Sequence, residues 1–167
     1  ARGVHRDSAS LSSYASNFDS ISLCLSKGLG CPVGSVLLGS KSFIAEAHRV
    51  RKVLGGGMRQ AGFVAIAGTF AIDNLLDRLS QDHARAKVLG EAALNHPKVK
   101  GHEPIDTNIV ILKLEDGVDA AELVEVWSKK GIKCFPFSNT SIRFVTHLDN
   151  TDAEVEEACR ILKTNGE

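Results

Sequence analysis

The chain has 167 residues, with twenty basic and twenty acidic side chains, and is 43% hydrophobic, 24% charged and 5% aromatic. Zero net charge gives no electrostatic footing for nucleic acid or an anionic membrane surface, and no apolar run approaches the roughly 20 residues that cross a bilayer. Nothing at the N-terminus resembles a secretory signal, so a cytoplasmic location is the expectation.

This length fits one domain, or a medium unit with a small satellite. Residues 1–18 read as a polar, serine-rich approach that starts abruptly at Ala1, as in a chain cut from something longer. A strand-like run from Ile21 then ends in Ser26-Lys27 and breaks into a loop with Gly28, Gly30, Pro32 and Gly34. A second apolar run, Val33 to Leu38, closes on Gly39.

Lys27 stands at the mouth of this core-strand pattern, and two readings are open. Its stem can lie along the core while the ammonium reaches water. Alternatively, desolvation lowers its pKa and makes it an amine nucleophile for an aldehyde.

Ser40 is positioned to cap a helix over Lys41 to Leu54, stopped by Gly55-Gly56-Gly57. Met58 opens a long helical region to about Asn95, whose alternation of small and bulky residues (AGFVAIAGTFAI) predicts close helix packing. His96-Pro97 ends it, and the polar segment 98–103 reads as a boundary between substructures.

Beyond that boundary the pattern predicts strand 107–114, helix 119–130, strand 132–136, strand 141–147 and helix 151–163. Thr151 and Glu154 have capping-box spacing. Such an order makes a mostly antiparallel sheet with helices on one face. The four cysteines show neither zinc-ligand spacing nor a disulfide framework. Cys24 and Cys134 read as small core residues, and Cys31 as a loop thiol that is either neutral or reactive.

Three stretches carry a family resemblance: SLCLSKGLG (22–30) with PVGS (32–35), RKVLGGGMRQAG (51–62) and IRFVTH (142–147). In this order and spacing the chain, from about Asp19 to its C-terminus, resembles the second half of low-specificity L-threonine aldolases. These are fold-type-I enzymes dependent on pyridoxal phosphate (PLP), in the β-eliminating lyase group.

The resemblance implies an α/β fold: residues 1–96 as part of the fold-type-I large domain, and 97–167 as a small α+β C-terminal domain. It implies that Lys27 holds PLP as a Schiff base, that Ser26 donates to the cofactor phosphate, and that Lys52 and Arg59 lie close to the cofactor. Arg143 matches the arginine that clamps the substrate α-carboxylate, where a bidentate fork suits better than an ammonium. Arg2 is a further candidate for carboxylate binding, and His147 is structural. No metal is implied.

The implied reaction cleaves L-threonine or L-allo-threonine to glycine and acetaldehyde, in a homo-oligomer (dimer or tetramer). An aminotransferase or eliminating lyase on the same scaffold is an alternative, and so is a non-catalytic truncated subunit. Family members are much longer, and their N-terminal half carries the phosphate loop, the residue stacked on the cofactor ring and the aspartate facing its nitrogen. The chain alone is therefore expected to show little or no aldolase activity.

Overall fold

The computed structural model describes residues 8–164, with side chains from residue 12 onward. The chain forms two compact units that divide between Asp77 and Arg78. Arg2 lies outside the described residues.

The first unit opens with helix α1, Ser8–Ala15, where the sequence pattern suggested only an irregular approach. Its end is stabilised by side chains: Ser16 Oγ and Asn17 Nδ2 both donate to the Ser13 carbonyl, at 2.8 and 2.9 Å. That satisfies a carbonyl the helix itself leaves open. Strands β1, Ser20–Cys24, and β2, Ser35–Gly39, pair antiparallel from Ser20↔Gly39 to Cys24↔Ser35. The expectation of a core strand is corrected here. β1 and β2 form a two-stranded sheet whose residues are mostly exposed.

Helix α2, Lys41–Val53, begins where Ser40 Oγ accepts the Phe43 N–H at 3.2 Å, the expected cap. It ends at the glycine triplet, with Gly55 at φ +80°. The long helical region is in fact two helices, α3 (Gly62–Asn74) and α4 (Leu79–Ala93), and the break between them coincides with the division of the units.

Half of α3 packs as its small residues predict. Val64, Ala67, Gly68 and Ala71 recur at helical spacing, and the first three meet the loop 25–34: a Cβ on Gly34 would stand 3.5 Å from Val64 Cγ1, and Cys31 Sγ donates to the Ala67 carbonyl at 3.4 Å. A Cβ on Gly68 would stand 3.0 Å from Leu25 Cδ1. The opposite face, with Phe63, Ile66 and Phe70, is exposed.

The second unit is a four-stranded antiparallel sheet in the order β3-β4-β6-β5. Its strands are β3 (Val99–His102), β4 (Ile109–Leu114), β5 (Phe135–Ser138) and β6 (Ser141–Val145). The polar segment expected as a boundary is thus an edge strand, β3. The strand expected at 132–136 starts three residues later, and buried Ile132 lies in the irregular segment before it.

Helices α5 (Ala120–Lys129) and α6 (Asp152–Lys163) complete the unit with α4. Asp119 caps α5, and the Thr151–Glu154 capping box opens α6. Val110, Leu112, Leu114, Ile142 and Phe144 alternate along β4 and β6, and they join Trp127, Leu89 and Leu162 in one core. Alternation leaves the intervening residues, Ile111, Arg143 and Val145 among them, on the other face.

Candidate active site

Lys27 sits in the loop that joins β1 to β2, and hydrogen bonds within the loop fix its shape. Leu25 N donates to the Gly34 carbonyl at 3.0 Å, Gly30 N to the Lys27 carbonyl at 2.8 Å, and Cys31 N to the Leu25 carbonyl at 3.1 Å. Gly30 and Gly34 adopt φ of +70° and +118°, a region that side-chain-bearing residues rarely enter. Leu25, Leu29 and Cys31 are buried beneath the loop, while Ser26 and Lys27 are exposed. The loop is thus anchored by its apolar residues and presents an amine and a hydroxyl outward.

Exposure of Lys27 corrects the reading of a desolvated lysine. Loop residues Leu25 and Cys31 meet α3, at Gly68 and Ala67. Among the described residues Lys27 has no ion-pair partner. Among the described residues Ser26 Oγ reaches the Cys24 sulfur, at 3.5 Å, which leaves hydrogen-bonding capacity to spare. The cysteine assignments also shift. Cys31 and Cys159 are buried, whereas Cys24 and Cys134 are half-buried, and all four are free thiols.

Lys52 lies in the last turn of α2, and its stem folds over the glycine triplet. A Cβ on Gly57 would lie 3.2 Å from Lys52 Cδ and 3.4 Å from its Nζ, and one on Gly56 would lie 3.0 Å from Arg51 Cγ. These glycines therefore make room for the stems of the two preceding cations. Arg59 follows in an exposed turn, and Gln60 beside it holds a left-handed φ of 51°. That conformation is uncommon for a side-chain-bearing residue and marks a tight reversal into α3.

Arg143 belongs to the second unit. It is the middle residue of β6, opposite Ile111 on β4 and Phe135 on β5. Its guanidinium carbon stands 5.8 Å from the Phe135 ring centroid. Its Nε is shielded from water without a hydrogen-bond partner, and no carboxylate pairs with the side chain among the described residues. An arginine half-buried on an open sheet face without an anion is suited to receive one.

Sequence reasoning missed Phe135. A hairpin signal was present in Ser138-Asn139-Thr140-Ser141, but a bulge between Pro136 and Ser138 shifts the register. Plain counting from Ser138↔Ser141 would have placed Pro136, not Phe135, opposite Arg143.

The described residues fit PLP. An exposed amine and a neighbouring hydroxyl with spare capacity match an aldehyde and a phosphate. The fold is that of the fold-type-I PLP-dependent enzymes. A Listeria monocytogenes chain provisionally assigned as an L-allo-threonine aldolase superposes with a TM-score of 0.70 at 18% identity, over 90% of this chain and 45% of that one. A structure of SPT with a PLP internal aldimine gives 0.67 at 21% identity, over 89% of this chain and 40% of that one.

The family model described as beta-eliminating lyase matches residues 5–116, and the chain belongs to that family. Low-specificity L-threonine aldolase 1 of Arabidopsis thaliana is 40% identical over 82% of this chain and 39% of its own length. The chain thus spans about two fifths of that relative.

Proposed function

We propose that this chain is the lysine-bearing and carboxylate-binding part of a PLP-dependent lyase that cleaves L-threonine or L-allo-threonine to glycine and acetaldehyde. The observation that carries the reading is the loop 25–34, which holds Lys27 exposed on a base of buried Leu25, Leu29 and Cys31. Kinship with the Arabidopsis threonine aldolase supplies the substrate class.

In this reading the Lys27 amine anchors the cofactor aldehyde, and the Ser26 hydroxyl donates to its phosphate. Lys52 and Arg59 add positive charge on the same unit, suited to the phosphate or to a neighbouring subunit. Arg143 grips the substrate α-carboxylate and so orients the bond to be broken. Bound PLP would supply an electron sink for the charge left on Cα when the Cα–Cβ bond breaks. The Lys27 amine would also be a base in this loop, able to hold a proton and return it to Cα. Arg2 remains a proposed second carboxylate contact.

Residues 1–96 are proposed as large-domain sequence and 97–167 as the small domain, although α4 packs its Ala86, Leu89 and Ala93 into the core of the second unit. The exposed apolar residues Val36, Leu37, Leu38, Phe63, Ile66 and Phe70 favour assembly with further protein, and a homo-oligomer is part of the proposal. Four free thiols suit a reducing, cytosolic compartment.

The test is to add PLP to the purified chain, reduce with borohydride and map the modified peptide. A stoichiometric phosphopyridoxyl group on Lys27, lost in Lys27→Ala, is expected. Labelling scattered over several lysines would overturn the assignment of Lys27. The chain alone is expected to turn over L-allo-threonine little or not at all.

A further inference from the structure

We propose that Phe135 is a positioning residue for Arg143, holding the guanidinium in the orientation that receives the substrate carboxylate. This inference rests on the reading of Arg143 as the carboxylate-binding residue.

Arginine carries large rotamer freedom, and a productive two-point grip on a carboxylate needs a fixed fork. Most buried or half-buried arginines are fixed by an acidic partner. Arg143 has none among the described residues, and its Nε is sealed from water without an acceptor. Sealing of Nε leaves the terminal nitrogens as the donors open to a ligand. What remains to aim them is packing. Ile111 flanks Arg143 on β4, and Phe135 flanks it on β5 with its ring 5.8 Å from the guanidinium carbon. That distance lies within the range of a cation–π contact, about 6 Å. A ring can hold a guanidinium without consuming any donor, which a carboxylate could not do.

Phe135 has no evident duty in the core. It is 59% exposed on an edge strand, while the core-facing positions of the neighbouring strand are Ile142 and Phe144. The bulge between Pro136 and Ser138 is what brings this ring, in place of a proline, opposite Arg143. Bulges commonly re-aim a side chain next to a functional site.

The experiment titrates the purified chain, labelled with 15N-arginine, with L-threonine and follows the Arg143 side-chain resonance. Phe135→Leu, Phe135→Tyr and Arg143→Gln are compared with the parent, with the urea midpoint of each variant as a folding control. In the parent, the Arg143 Nε–H resonance is expected to be shifted by the ring current and to move on saturation with ligand. Phe135→Leu should remove the ring-current shift and weaken binding about two- to fivefold. Phe135→Tyr should restore both. Arg143→Gln should abolish binding.

Parent-like affinity in Phe135→Leu, with binding lost in Arg143→Gln, would overturn the role of Phe135 and leave that of Arg143 standing. Unchanged binding in Arg143→Gln, or no binding by the parent, would instead overturn the carboxylate-binding reading itself.

Discussion

Thr146 Oγ1 donates a 2.7 Å hydrogen bond to the backbone carbonyl of Asp82, joining residues 64 apart in sequence at a buried point. Thr146 follows β6 directly, so this bond ties the strand that carries Arg143 to the first turn of α4. The same residue is held on its other side: its N–H donates to the Asn108 carbonyl at 3.0 Å, and its carbonyl accepts Asn108 Nδ2 at 2.8 Å.

Thr146→Val removes the donor while keeping the shape, and a buried hydrogen bond lost in this way costs about 1–3 kcal/mol. Urea unfolding should show that loss in the midpoint with the slope unchanged. A midpoint equal to the parent's would mean that the bond contributes nothing net.

Asp82 is itself fully buried. Arg78 grips both of its carboxylate oxygens, and Arg85 Nη1 lies 3.8 Å away while its Nε reaches Asp152 at 2.7 Å. The cluster spans α4 and the start of α6. Asp82→Asn leaves Arg78 shielded from water without its counter-charge, and breaking one side of a buried pair costs about 3–5 kcal/mol. Calorimetry should register a large drop in Tm, whereas Asp152→Asn, at the exposed end of the cluster, should cost little.

His96 gives a pH dependence with a defined sign. It is buried, its Nδ1 accepts the Lys98 N–H at 3.2 Å, and its ring meets Trp127 edge-on at 5.3 Å. Burial, then the charges of Lys98 and Lys130, hold its pKa below the usual 6.5. The unfolded chain therefore binds the proton more readily. Stability is fully present above about pH 6.5 and is lost as pH falls through the folded pKa. His96→Asn, which keeps an acceptor for Lys98, should flatten the stability profile below pH 6.5. His83, also lowered by burial, accounts for part of the slope that remains. An unaltered profile in His96→Asn would exclude His96 as a source of acid sensitivity.

The thiols should separate by reactivity. Cys24 is lowered from its ordinary value chiefly by the Ser26 hydroxyl, while burial pushes Cys134 up to about 12. Since the thiolate is the nucleophile, iodoacetamide near pH 8 should alkylate Cys24 well before Cys134. Ser26→Ala should slow Cys24 selectively, as peptide mapping over time would show. Equal rates in parent and Ser26→Ala would mean that the hydroxyl does not tune the thiol.

Much of this molecule was legible in the residues. Caps at Ser40 and Thr151 were readable because capping is local chemistry over three or four positions. The apolar run 107–114 was readable as a strand, and β4 forms within it at Ile109–Leu114. Family motifs around Lys27, Gly55 to Arg59 and Arg143 point to the chemistry proposed for this chain.

What the residues could not settle depended on partners distant in sequence. The apolar letters of β1 and β2 predict burial, but burial requires a covering surface, and these strands remain mostly exposed. Lys27 is exposed while Leu25 and Cys31 take the space against α3. Phe135 faces Arg143 only because a one-residue bulge changes the register, and a shift of one position exchanges the two faces of a strand. Local chemistry is encoded in neighbouring residues, whereas exposure and register are fixed by which distant surfaces meet.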